Sequence, residues 1–203
     1  MSAAKAPIDF YFEFSSPYGY IASQVVDEFE GRVGRPVTWR PMLLGPVFKL
    51  TGQAPLIDIP MKGAYSKHDF SRSARLHKVP YKHPETFPIG TVAACRAFYW
   101  VADRDPAQAR KLAKALYKAY FVEGVDIGAP AAVLEVAKSA GVDTAQLAAA
   151  LEDPAVKDRA KREVDAAIAA GVFGSPFFIV DGEPFWGVDR LPMLEQWVKS
   201  GGW

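Results

Sequence analysis

Sulfur and imidazole are scarce in this chain. One cysteine, Cys95, among 203 residues excludes an intrachain disulfide and a multi-cysteine metal site. The three histidines, His68, His77 and His83, show no ligand spacing, and no metal is expected. Net charge is scarce too: 24 Lys and Arg against 23 Asp and Glu leave +1, too little to gather a polyanion over long range, so no nucleic-acid partner is expected. No segment approaches about eighteen uninterrupted apolar residues, and Met1 to Pro7 has one lysine and no apolar core. Neither a membrane span nor an export signal is therefore read, and the expected compartment is the cytoplasm. What remains is half hydrophobic and 23% charged, the profile of one soluble folding unit.

Along the chain, Ile8 to Phe14 is a run of aromatic and β-branched residues broken only by Asp9 and Glu13 and ended by Ser15-Ser16-Pro17, which predicts a buried strand meeting a turn. Pro17 suits a first helical turn that Ser15 or Ser16 caps; Tyr20, Ile21, Val25, Val26 and Phe29 keep helical spacing until Gly31 and Gly34. Pro36 to Arg40 reads as a second strand, giving a βαβ opening. Gly and Pro then punctuate a loop-rich stretch to about Pro60, and helical patterns dominate to Ala170, including Ala107 to Phe121 and Ala131 to Ala140, with starts at Asp143 and Asp153. The charge run Lys157 to Glu163 reads as a solvated face. Phe177 to Val180, the turn Asp181-Gly182-Glu183 and Pro184 to Trp186 predict a hairpin, and Leu191 to Lys199 a closing helix with Leu191, Leu194 and Val198 on one face. Cys95 sits in an apolar helical stretch and reads as a small buried hydrophobe.

The order β-α-β, helical block, β-β-α is that of the α/β thioredoxin-like fold in its DsbA-type form, a mixed sheet with a large helical insertion. Residues 1–42 and 171–203 are assigned to the thioredoxin-like domain and 43–170 to an inserted helical subdomain. Redox members carry C-x-x-C after the first strand. Here that place holds Ser16-Pro17-Tyr18-Gly19, and without sulfur there is no disulfide exchange at this position. The start of a helix still favours an anion, and the Ser16 hydroxyl can donate to it, so a borrowed thiolate such as that of glutathione suits the location. A plain N-cap is the other reading of Ser16. Gly171 to Pro176 looks like the loop that carries a cis-proline opposite this helix, and the Ser175–Pro176 bond is expected to be cis. Asp189, near a helix start, reads either as a cap or as a holder of a ligand's charged groups.

Asp9 to Tyr18, Trp39 to Lys49, Phe87-Pro88-Ile89, Gly171 to Pro176 and Phe185 to Arg190 together resemble the 2-hydroxychromene-2-carboxylate isomerase family, over nearly the whole chain. Kappa-class glutathione transferases share the Ser-Pro-Tyr start and the Gly-x-Phe-Gly-x-Pro loop. The resemblance implies a glutathione-dependent isomerisation of a bicyclic aromatic acid by reversible thiolate addition, with Ser16 orienting and activating the sulfur rather than attacking. Conjugation of glutathione to an electrophile is the alternative activity. Glutathione binding falls by the resemblance to Ser16, Ser175, Pro176, Trp186, Gly187, Val188 and Asp189, with the Ser175 backbone pairing with the cysteinyl part. Substrate contacts fall to Lys49, Lys62 and Gly90. Family members carry Asn after Phe-Pro-Ile where this chain has Gly90, and Asn or Ser where it has Val188. The family also implies a homodimer.

Overall fold

The computed structural model describes residues 6–203; residues 1–5, part of the stretch read for an export signal, lie outside the described residues. Strand β1 (Ile8–Phe12) is central. It pairs in parallel with β2 (Val37–Pro41), Phe10 opposite Trp39, and antiparallel with β3 (Phe177–Val180), Phe10 opposite Phe178. Strand β4 (Glu183–Trp186) closes the order β2-β1-β3-β4. The β3–β4 turn is Asp181-Gly182, both at positive φ, the backbone of a tight two-residue hairpin, and Glu183 belongs to the strand rather than to the turn. Arg35, buried before β2, clamps that turn through two bonds to the Asp181 carboxylate at 2.6 and 2.7 Å.

Strand β1 stops two residues earlier than the sequence pattern suggests. The Glu13 N–H turns away to the Ser175 hydroxyl at 2.9 Å, and its carbonyl accepts from the Ser16 N–H, also at 2.9 Å. Helix α1 (Pro17–Val33) follows at once, with Ser16 as its N-cap and Pro17 in its first turn. Gly31 lies inside this helix. Gly34, left-handed at φ 60°, ends it by donating its N–H to the Glu30 carbonyl.

The stretch read as loop-rich contains helix α2 (Leu44–Thr51). Pro46 falls in its first turn, where no intrahelical donor is lost, and Gly52 at φ 69° terminates it, so these residues mark helix ends. A short 3-10 turn (Leu56–Asp58) leads to α3 (Lys62–Leu76). Then come α4 (Val92–Ala102), α5 (Pro106–Phe121), α6 (Pro130–Ser139), α7 (Thr144–Glu152) and α8 (Pro154–Ala169). Asp105, Asp143 and Asp153 cap α5, α7 and α8. The charge run on α8 is only partly a solvated face. Glu163 and Arg159 are half-buried, and Glu163 also reaches Arg40 on β2 at 3.3 Å. Helix α9 (Leu191–Ser200) buries Leu191 and Leu194, with Val198 packed partly against the core. Among the described residues no helix is long and apolar enough to cross a membrane.

One aromatic core joins sheet and helices. The buried Phe12 ring lies 5.1 Å from Phe10, 5.3 Å from Phe14, 5.5 Å from Trp39, 5.8 Å from Phe98 on α4 and 5.9 Å from Tyr117 on α5. Cys95 is buried as expected, and burial with the nearby Glu13 pushes its thiol up, so it stays neutral. Because the surrounding rings come from different elements and cannot all collapse inward, Phe12→Ala is expected to cost about 3–5 kcal/mol, read as a fall in the urea midpoint with an unchanged slope.

Candidate functional site between helix α1 and the cis-proline loop

Ser16 is the N-cap of α1. Its Oγ accepts the Gly19 N–H at 3.1 Å and donates to the Ser175 carbonyl, also at 3.1 Å. The Tyr18 N–H in the same first turn has no acceptor among the described residues, so the positive end of the helix faces outward beside the hydroxyl. Ser16 is thus a helix cap, one of its two readings, and its hydroxyl also donates across to the opposing loop.

That loop runs from α8 to β3. The Ser175–Pro176 bond is cis, as expected, and so is Phe87–Pro88. Gly174 has no room for a side chain, because a Cβ there would lie 2.3 Å from the Trp186 indole nitrogen. Trp186 therefore lies against the loop, half-exposed, with its ring 4.9 Å from Phe173. The Pro176 carbonyl accepts the Gly187 N–H at 3.0 Å, which ties the loop to the segment after β4. Gly187 sits at φ 113°, a conformation that only glycine adopts readily. Val188 is buried at the start of a 3-10 turn (Val188–Arg190). Asp189 corrects the cap reading: it makes no capping bond, its carboxylate is 69% exposed, and it pairs with the neighbouring Arg190 at 3.2 Å.

Beneath Ser16 lies a polar network that the sequence reading missed. The Glu13 side chain is buried, and its carboxylate accepts the Ser15 N–H at 3.3 Å, the Leu44 N–H at 3.0 Å and the Thr91 hydroxyl. The Tyr117 hydroxyl donates to the Glu13 carbonyl at 2.9 Å, and the Ser15 hydroxyl accepts the Ile89 N–H at 3.1 Å. Burial pushes the Glu13 carboxyl above the usual range, while the Thr91, Leu44 and Ser15 donors oppose that rise. The one signal in the sequence was a lone carboxylate between Phe12 and Phe14. Tyr18, next to the site, donates to Asp69 on α3 at 2.5 Å; Asp69 is partly buried, but its bonds from Tyr18 and Arg72 hold its carboxyl below the usual range.

The structure thus brings together Ser16, Ser175 and Pro176 and ties them to Trp186 and Gly187, with Val188 and Asp189 following in the chain and bonding none of the first three. Gly90 is exposed in the loop before α4, beside the Ile89 that bonds Ser15, and a Cβ at Gly90 would meet open space. Lys49 on α2 and Lys62 at the start of α3 are exposed, and neither bonds any of these residues. No group of three or more metal-ligating side chains gathers among the described residues.

A model of the DSBA-like thioredoxin domain matches residues 7–199. This chain belongs to that family. Its positions 16–19, Ser-Pro-Tyr-Gly, hold no sulfur. It is similar to a 2-hydroxychromene-2-carboxylate isomerase of Sphingobium xenophagum, 29% identical over 199 residues covering 94% of this chain and 97% of that one. It is also similar to glutathione S-transferase kappa 1 of Rattus norvegicus, 27% identical over 215 residues covering 98% and 95%. Among solved structures, a 2-hydroxychromene-2-carboxylate isomerase superposes with a TM-score of 0.86 at 27% identity, covering 96% of this chain and 95% of that one. Both kinds of relative are named as enzymes, and their names leave this chain's substrate open.

Close packing at the start of α1 gives a direct check. A Cβ on Gly19 would lie 2.6 Å from the Ser175 hydroxyl and 2.7 Å from that of Tyr117, both of which hold Glu13. Gly19→Ala is expected to destabilise the fold by about 1–3 kcal/mol, as overpacking does, and to loosen the Ser16–Ser175 contact, measured by thermal unfolding and by amide exchange at residues 13–19.

Proposed function

We propose that this DsbA-like chain is a glutathione-dependent enzyme that isomerises 2-hydroxychromene-2-carboxylate or a related aromatic acid. The observation that carries the reading is the Ser16 hydroxyl, at the open start of α1, set against the Ser175 backbone where a redox relative would hold cysteine. The residues present fit glutathione by their donor chemistry: Ser16 supplies a hydroxyl, Tyr18 an open N–H, and Ser175 an N–H with no acceptor among the described residues beside its carbonyl. When bound, glutathione supplies a thiolate that adds reversibly to the substrate and is expelled after ring opening and rotation.

The chain's own residues would prepare that chemistry. Ser16 Oγ–H turns from the Ser175 carbonyl to the sulfur, and together with the helix dipole it favours the thiolate over the thiol. The Ser175 N–H and carbonyl pair with the cysteinyl backbone as an added strand would. Trp186, Gly187 and the Val188 backbone N–H would border the tripeptide, and the exposed Asp189 carboxylate would meet the γ-glutamyl ammonium. Lys49 and Lys62 supply cations for the glycyl or substrate carboxylate, and the space beside Gly90 admits the aromatic rings. Ser16 is not the covalent nucleophile.

A second reading, conjugation of glutathione to an electrophile, is favoured by the nearly equal identity to the kappa transferase. Mass balance separates the two, because an isomerase leaves total reduced glutathione constant over many turnovers.

Removing one hydrogen bond to an anion costs about 1.5–3 kcal/mol, so Ser16→Ala should lose roughly ten- to a hundredfold in turnover. Glutathione should still bind, and the pKa of the bound thiol, followed by its ultraviolet thiolate absorbance, should rise. Full activity with a chromene carboxylate in the absence of glutathione would refute the reading. Asp189→Ala should weaken glutathione binding at least several-fold with little change in stability, since its carboxylate caps no helix. Calorimetric titration beside a melting curve tests this, and an unaltered affinity would remove Asp189 from the site.

A further inference from the structure

Glu13 lies at the base of the site with all its polar groups in use, and neither the proposed chemistry nor the family resemblance gives it a role. Its N–H goes to the Ser175 hydroxyl, and its carbonyl accepts from Ser16 N–H and the Tyr117 hydroxyl. Its carboxylate collects donors from three segments: Ser15 in the turn before α1, Leu44 at the start of α2, and Thr91 before α4. Thr91 is itself 2% exposed and Glu13 is 7% exposed. No cation pairs with this carboxylate among the described residues; the titratable groups that feel its charge are Tyr117, Tyr120 and Cys95. A buried carboxylate without a counter-ion is costly to retain unless its acceptors are needed.

We propose that the Glu13 carboxylate is a positioning residue that holds Ser16 in place by gathering the Ser15 N–H, the Leu44 N–H and the Thr91 hydroxyl. From the functional reading the proposal takes only that Ser16 is the working residue. Acceptance on both oxygens is essential to it. In glutamine one oxygen becomes a donor: placed on the Leu44 side it leaves that N–H facing another donor, and placed on the other side it does the same to Ser15, although the Thr91 hydroxyl can rotate to accept. Glu13→Gln therefore orphans a buried backbone N–H in either orientation while nearly preserving side-chain volume.

The test uses Ser16→Cys as a reporter in the full chain, alkylated with iodoacetamide across pH with no glutathione present. Cys95 is buried, so one thiol reacts. The introduced thiol gains its anionic character from the N–H groups at the start of α1, and its alkylation rate follows its thiolate fraction. Adding Glu13→Gln is expected to slow alkylation about tenfold at neutral pH, equivalent to one pKa step upward. The limiting rate at alkaline pH should stay within about twofold, since there the thiol is fully ionised. An unchanged or faster neutral rate overturns the proposal, because removal of a nearby negative charge alone would make the thiol more acidic.

If Glu13→Gln opens the core and a second thiol is labelled, Thr91→Val decides in its place. It removes one donor and leaves the carboxylate, so slowing in the same direction with recovery in Thr91→Ser supports positioning, and the parent rate in Thr91→Val overturns it. Since no glutathione enters the measurement, its failure is distinct from a failure of the glutathione reading, which the Ser16→Ala titration detects.

Discussion

The chain must pass from the central strand into the first helix within four residues, Glu13 to Ser16, and it makes that passage mostly away from water. An unpaired buried backbone group costs about 1–3 kcal/mol, so each group there needs a partner from elsewhere. The partners come from α5 through Tyr117, from the loop before α4 through Ile89 and Thr91, and from the loop before β3 through Ser175. The bonds that satisfy the turn are therefore the bonds that assemble the site. In this arrangement polar satisfaction and placement of Ser16 cannot be separated.

Absence of sulfur at positions 16–19 excludes disulfide exchange there but leaves the electrostatic frame of the helix start. The helix start, the facing backbone of Ser175 and the glycines that allow close approach at 19, 174 and 187 are properties of backbone and packing. In that frame the Ser16 hydroxyl caps α1 and reaches the Ser175 carbonyl. The chain is similar in identity to an isomerase, at 29%, and to a transferase, at 27%, so the comparisons do not by themselves separate the two reaction classes.

Much of the fold was legible because its signals are local. Aromatic and β-branched runs marked β1 and β3, Asp143 and Asp153 marked the starts of α7 and α8, and Ser-Pro after an apolar strand marked the start of α1. Helix α2 escaped notice because its Gly and Pro sit at helix ends, where the same residues that suggest a loop are tolerated. Glu13 escaped because its meaning depends on Thr91, 78 residues away in sequence, and nothing local distinguishes a buried acceptor from a solvated one. Lys49 and Lys62 are the opposite case: both are exposed, and flexible side chains of this kind take their positions from a ligand more than from the fold.

The Ser16–Ser175 contact joins residues separated by 159 positions, and β1 receives β3, its second neighbour, only from the end of the chain. During synthesis the central strand can pair with β2 early, but its other edge stays open while the helices emerge, leaving unpaired backbone at the middle of the future sheet. Such non-local pairing slows folding, because loop closure must come before the contact is formed. The Ser16–Ser175 contact consequently forms only after the loop before β3 has emerged, and a nascent or clipped chain lacking that loop and β3 has the helix start and the hydroxyl with no facing backbone.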